Sequence, residues 1–303
     1  MERQLRNTGA WVVASLLIRF GITARAKKRI IAGECILSIY FHAPDSTLFE
    51  FCIKWLLDNG FTFISQKELY LVYKKCRPFP KQSVILTVDD GWQTNYDNII
   101  PIANKYRVPV TIFVSTDAIE NGCFWWSYIE RALKTNIYNT SVEPLKRVPD
   151  NNRAEIVNKI MTIIRLKREA LTPEQVVQVA ASNYITIGSH TVSHPILPNC
   201  CNQHAYFELK ASKLKIEEWV NKKVVYFSYP NGDFGDREIK YLKEIGYILA
   251  YTAHPAFITR EKLSNIFELP RFCVHDNISN EEAICRMLGV WQRFIKNPFK
   301  ISK

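Results

Sequence analysis

The strongest constraint in this chain is a rhythm, in which short β-type apolar runs alternate with longer amphipathic stretches. The runs fall at 36–41, 84–88, 110–114, 184–188, 224–229, 247–252 and 269–274, each of strand length and too short for an ordinary helix. Between them, 47–58, 95–107, 172–182, 206–221 and 236–245 carry a helical period. Their ends hold the residues that helix boundaries favour: Thr172-Pro173-Glu174 offers an N-cap followed by proline at the first helical position, and Gly60 and Gly246 stand where a C-terminus turns left-handed. A closing helix is expected over 281–295. Strands alternating with helices predict βα units and a parallel sheet, hence an α/β fold, and 303 residues leave room for one large barrel or two modest domains.

One stretch breaks the rhythm. Between the third and fourth runs lies a segment far longer than the two to six residues of an ordinary βα loop, so it needs structure of its own. It opens on Phe124-Trp125-Trp126, and 130–134 and 153–168 look helical. An insertion of about 117–171 is therefore expected, either as an excursion over the barrel mouth or as packing on the outside.

Two motifs carry chemistry. In 84–92, VILTVDDGW, an apolar strand runs directly into two adjacent carboxylates and a glycine. Paired carboxylates at a strand's C-terminal end repel one another and are partly desolvated, so a cation would stabilise them, and this end of a parallel α/β barrel is where active sites are built. A plain Asp-Asp-Gly turn capping the next helix is the structural alternative. In 185–195, ITIGSHTVSHP, His190 and His194 follow another short strand four residues apart, a spacing that on a helical turn puts both imidazoles on one face. Two imidazoles and one carboxylate form a three-ligand set with open positions, the arrangement of a catalytic metal.

With both motifs in this order, the chain resembles the polysaccharide deacetylase family, also called the NodB-homology or carbohydrate esterase 4 family. Thr87-Val88-Asp89-Asp90-Gly91 matches its T-F-D-D-G signature, His190-Thr191-Val192-Ser193-His194 its H-[ST]-x-x-H motif, and 226–232, YFSYPNG, its third signature region. The resemblance covers roughly 36–274. It implies a distorted (β/α)7 barrel, an incomplete TIM-like barrel with a long insertion after the third strand, occupying 31–303 behind an N-terminal segment of 1–30. It further implies that Asp90, His190 and His194 bind a divalent metal, Zn2+ first among the candidates with Co2+, Ni2+ or Fe2+ also suited. Asp89 is then the base that takes a proton from water held by the metal, and a backbone N–H at Asn231 is the oxyanion donor. The implied activity is removal of acetyl groups from N-acetylated sugars of a polysaccharide or lipid-linked glycan.

Some positions depart from that pattern. Many family members place an arginine in the third motif to orient the base, where this chain has Ser228; Arg271, in Leu269-Pro270-Arg271-Phe272, is the candidate to supply that guanidinium as a bidentate partner of Asp89. The family's general acid is a histidine near the end of a late strand, for which His275 is preferred over His254. His42, at the end of the first strand, should face the barrel mouth and touch substrate unless it is purely structural. Trp92, Trp125, Trp126 and Tyr229 are candidate sugar platforms, with plain core packing as the alternative for each.

A net charge of +11 points to attraction toward something anionic. No nucleic acid is expected as a partner. Eight cysteines without a C-x-x-C pair fit free, buried thiols in a reducing compartment, hence a cytoplasmic location. The first thirty residues complicate this: a basic start, an apolar run at 11–18 interrupted by Arg19, then a basic stretch at 25–29. That run is shorter than the ~20 apolar residues a span needs. A signal peptide is disfavoured, and an amphipathic helix on the inner face of the membrane is the expectation, with a core-packing helix as the alternative. Other functions compatible with the residues are a same-fold amidohydrolase of a small cyclic amide, a non-catalytic glycan-binding module, and a non-haem iron oxygenase, which leaves Asp89 without a purpose.

Overall fold

Strand residues buried alternately on the two sides of one curled sheet define the architecture. In the computed structural model, which describes residues 2–296, nine strands form: β1 (Cys35–Phe41), β2 (Thr62–Phe63), β3 (Ser83–Val88), β4 (Val110–Val114), β5 (Ile185–Ser189), β6 (Tyr226–Ser228), β7 (Leu249–Tyr251), β8 (Ile258–Thr259) and β9 (Phe272–Cys273). Their order is β7-β6-β5-β4-β3-β1-β8, with β2 also on β3 and β9 on β1. Every pairing is parallel except that of β8 with β1. Because Leu269 bridges Tyr251 of β7 and β9 lies on β1, the segment 269–273 closes the sheet. The result is the distorted (β/α)7 barrel that the strand count and motifs imply. The seven apolar runs appear as β1, β3 to β7 and β9; β2 and β8 have two residues each, too few to show a period.

Alternation along each strand decides what faces the interior. Leu37, Ile39 and Phe41 of β1 and Val84, Leu86 and Val88 of β3 pack outward in the core shared with the helices, while Ile36, Ile85, Phe113, Leu249 and Tyr251 pack inward. Continuing that parity beyond the strand ends puts Asp89 inside on the path of Ile85 and Thr87. Gly188 follows the same logic. A Cβ there would lie 2.4 Å from the Phe113 ring, so β5 can accept the phenyl group only as glycine.

Helix boundaries follow local chemistry. Asp45 accepts from Leu48 N (2.8 Å) ahead of the helix Ser46–Asp58, and Thr172 and Gln175 form a capping box at the helix Pro173–Ala180. The continuous helix expected over 95–107 is two, Thr94–Asn98 and Ile100–Tyr106, since Pro101 lacks the N–H a continuous helix would use. The closing helix divides likewise into Asn280–Met287 and Val290–Lys296 around Gly289, whose φ is +66°.

The N-terminal segment forms α1 (Glu2–Arg19) and α2 (Ile22–Ile31). α1 lies against the helix Asn280–Met287, whose Cys285 thiol reaches Ala14 O at 3.6 Å. α2 buries Thr23, Ala26 and Ile30, and Ile30 O accepts from Gln82 N at 3.0 Å. After β4, the segment 116–163 holds four helices, Thr116–Asn121, Trp125–Lys134, Val142–Leu145 and Asp150–Ile163. Trp125, Ile129, Ala132, Leu145, Val157, Ile160 and Ile164 give it a small core of its own.

Substituting Gly188→Ala should force a backbone or Phe113 shift and destabilise the fold by about 1–3 kcal/mol, read as a lowered urea midpoint with an unchanged slope.

Candidate active site

Inward-facing residues at the C-terminal ends of the strands converge on a cavity of about 610 Å³, walled by Tyr40, His42, Asp89, His190, Arg271 and Cys273 from the barrel and by Trp125, Trp126 and Lys146 from the segment after β4. At its floor Asp90 Oδ1 stands 3.5 Å from both His190 Nε2 and His194 Nε2. One donor atom from each of the three residues lies within 4.8 Å of the others.

The backbone is bent to achieve this. Asp90 (φ 75°), Thr191 (φ 70°) and His194 (φ 54°) are all left-handed, a conformation that a β-branched residue such as Thr191 adopts only under constraint. Its Oγ1 accepts from His194 N at 3.1 Å. Glu208, buried on the helix Asn202–Val220, accepts from Val192 N (2.8 Å), Ser193 N (2.9 Å) and Ser193 Oγ (2.8 Å). Gly91 (φ 89°) continues the turn; a Cβ there would meet Val114 Cγ1 at 2.9 Å.

The donors suit a divalent cation. His190 Nδ1 donates to Ser228 O at 2.7 Å, which directs Nε2 at Asp90. Burial, then repulsion from His190, lowers the His194 pKa to about 3, so its ring is neutral, and its buried Nδ1 has no hydrogen-bond partner among the described residues. Burial acts to raise Asp90, but the imidazoles of His190, His42 and His194 outweigh it and hold the carboxyl below the usual range. Trp92 Nε1 donates to Asp90 Oδ2 at 2.9 Å. Two imidazoles and an ionised carboxylate facing one point fit Zn2+ or a similar ion.

Beside them sits a buried ion pair. Arg271 forks onto Asp89, Nη1 to Oδ1 at 2.8 Å and Nη2 to Oδ2 at 2.7 Å. Its remaining N–H groups go to Thr87 Oγ1 (2.9 Å), Ser228 Oγ (2.8 Å) and Thr252 O (3.1 Å), so every guanidinium donor is used. The group also lies 4.2 Å from the Tyr40 ring centroid. Burial would raise Asp89, yet Arg271 keeps its carboxyl below the usual value. Ser228, where the motif resemblance would place an arginine, has a small side chain that accepts from Arg271 instead.

Comparison with known proteins matches residues 77–250 to the polysaccharide deacetylase family. The chain belongs to that family. Among its relatives, YxkH of Bacillus subtilis is 24% identical over 214 residues, 71% of this chain and 60% of that one. The poly-beta-1,6-N-acetyl-D-glucosamine N-deacetylase of Escherichia coli K12 is 22% identical over 274 residues, 82% of this chain and 35% of that one. The chain thus spans less than two thirds of each. The solved structure of IcaB from Ammonifex degensii superposes with a TM-score of 0.60 at 15% identity, covering 85% of this chain and 97% of that one, and shares the fold.

Within this polysaccharide deacetylase family member, Arg271, Cys273 and His275 lie beyond the matched stretch and are placed by the structure alone. His275 and His42 both line the cavity, whereas His254 is not among its walls. Cys273 sits with them, its Sγ 3.8 Å from His275 Nδ1. Burial opposes its ionisation, but the two imidazoles hold the thiol below the usual range. Asn231 reaches the cavity on left-handed backbone (φ 58°). Tyr229 is buried, stacked on Phe234, and shows the cavity only an edge of wall. Trp126 packs 4.7 Å from the His194 ring, and Trp125 Nε1 donates to His194 O at 3.1 Å. Sequence reasoning passed over Cys273, Glu208 and Tyr40. For Tyr40 and Cys273 the signal was present, since each shares the inward parity of His42 or Arg271; Glu208 lies on the helix that follows the donor loop, and nothing in its spacing shows that it folds back onto Val192 and Ser193.

Arg271→Met should cost about 3–5 kcal/mol at pH 7 by stranding the buried Asp89 carboxylate. Because folding lowers the Asp89 pKa, this contribution is fully present above the ordinary carboxylate range, near pH 4, and is lost as pH falls further. In Arg271→Met burial is the largest influence left on Asp89 and raises its pKa, so urea melts of both proteins across pH should show a gap that narrows steadily as the pH falls from neutrality. Glu208→Gln should loosen the loop bearing His194 and weaken Zn2+ affinity by about 10- to 100-fold, measured by calorimetric titration.

Proposed function

We propose that the protein is a metal-dependent hydrolase that removes acetyl groups from N-acetylated sugars of a polysaccharide or lipid-linked glycan. The observation that carries this reading is the meeting, in one cavity, of the Asp90-His190-His194 donor set with an ionised Asp89 fixed by Arg271. A divalent cation held by that set would polarise the acetamide carbonyl and lower the pKa of water toward neutrality.

The chain's own groups do the rest. Asp90 is occupied by the donor set and by Trp92, whereas Asp89 serves as the base that accepts a proton from the attacking water. Arg271 keeps Asp89 ionised and fixes its plane, so the proton leaves toward a carboxylate that cannot rotate. Asn231 lines the cavity, and its backbone N–H would serve as the donor to the oxyanion that develops on the acetyl group. His275, on the cavity wall with His42 and Cys273, would give the departing amine its proton. Trp126 and the aromatic wall exclude water and present an apolar face suited to a pyranose. A cavity of about 610 Å³ is within the range of ligand sites, and a relative whose name specifies poly-beta-1,6-N-acetyl-D-glucosamine supports an N-acetylhexosamine glycan as substrate.

The test is acetate release from such a glycan by the purified protein loaded with Zn2+. Chelation should abolish release and Zn2+ restore it. Asp89→Asn should lower kcat on the order of 10²- to 10⁴-fold with metal content unchanged; a variant within threefold of the parent would remove Asp89 from the reaction.

A further inference from the structure

The N-terminal helix pair leaves an apolar stripe in water. Val12 and Leu16 of α1 are 43% and 47% exposed, Phe20 just beyond it is 71% exposed, and Trp11 alongside is 47% exposed. Val12, Leu16 and Phe20 recur every fourth residue and so share one face, while Ala14 and Leu17 are buried in the core. Concentrated exposure of this kind marks an interaction surface.

The charge around the stripe says what covers it. Residues 3–33 contain seven Arg or Lys and no Asp or Glu. Arg25, Lys28 and Arg29 share the exposed face of α2. Arg29 pairs with Glu34 and Lys27 donates to Asn59 Oδ1, whereas Arg19, Arg25 and Lys28 have no ion-pair partner among the described residues. A second copy of the chain would bring the same cations face to face with no carboxylate to meet them. An anionic bilayer would neutralise them and take up the apolar side chains.

No single described helix is long and apolar enough to cross a membrane; α1 and α2 reach that measure only together, bent by 60°. Thr23, Ala26 and Ile30 tie α2 to the body of the protein, which suits a helix pair lying on the surface rather than passing through it.

We propose that α1 and the exposed face of α2 form a docking surface for an anionic phospholipid bilayer. Trp11, Leu16 and Phe20 enter the headgroup–acyl boundary, and Arg19, Arg25 and Lys28 contact lipid phosphates. Near its start α1 meets the loop that follows the site: Asn7 Nδ2 donates to Asn277 O at 3.3 Å, two residues beyond His275. The surface is independent of the reaction proposed above.

Sedimentation of the full chain with vesicles tests this. Phosphatidylglycerol–phosphatidylcholine vesicles should bind about tenfold or more tighter than pure phosphatidylcholine, with the difference lost in high salt. Leu16→Glu/Phe20→Glu and Arg25→Glu/Lys28→Glu should each lose about tenfold or more without a change in melting temperature. Equal affinity for both vesicle types, or none, overturns the proposal. So does a dimer in light scattering that Leu16→Glu/Phe20→Glu disperses without vesicle binding, or bound protein that resists alkaline carbonate, which would make the pair a broken span.

Discussion

A guanidinium buried at the centre of a barrel is the constraint around which this structure is arranged. Arg271 is 1% exposed, and an ion so far from water persists only if each donor is satisfied and its charge is met. The acceptors come from β3, β6 and the end of β7, through Thr87, Asp89, Ser228 and Thr252. Tyr40 and Tyr251 add ring faces at 4.2 and 5.2 Å. Because these groups belong to strands spread around the sheet, closing the barrel and orienting Asp89 are one event. The segment 269–273 that joins β7 to β1 is the segment that carries the arginine.

The donor set is built on a different principle. Asp90 and His194 sit on left-handed backbone, where the chain gains little locally; the His194 turn persists because Glu208 and Thr191 accept from its backbone N–H groups, while Ser228 O holds the His190 ring. Strain of this kind keeps the donor atoms poised, so less reorganisation would accompany the binding of an ion.

Much of this was legible in the residues. Seven apolar runs separated by amphipathic stretches specify a parallel sheet, and two-residue alternation then decides that Asp89, His42, Arg271 and His275 point inward. Arg271 was identifiable as the partner of Asp89 because Ser228 left the usual position vacant. What escaped were features set by tertiary approach. Glu208 reaches the His194 loop from a neighbouring helix, and the thiol of Cys273, already beside His275, gains the rest of its character when His42, far away in sequence, is folded against it. The breaks at Pro101 and Gly289 were visible as residues, yet whether a helix bends or merely tolerates them depends on what it packs against.

The segment after β4 has a small core of its own, and it meets the donor loop through Thr116 N to Thr191 O, Asp117 N to Val192 O and Trp125 Nε1 to His194 O. Ala118, Ile119 and Phe124 at its start belong to the main core, whereas the helices beyond them pack chiefly on one another and can open locally with less disturbance to the barrel. Trp126 and Lys146 face the cavity from this segment. A wall with packing of its own can differ in shape and charge where it faces the cavity while the sheet beneath keeps the donor atoms in place.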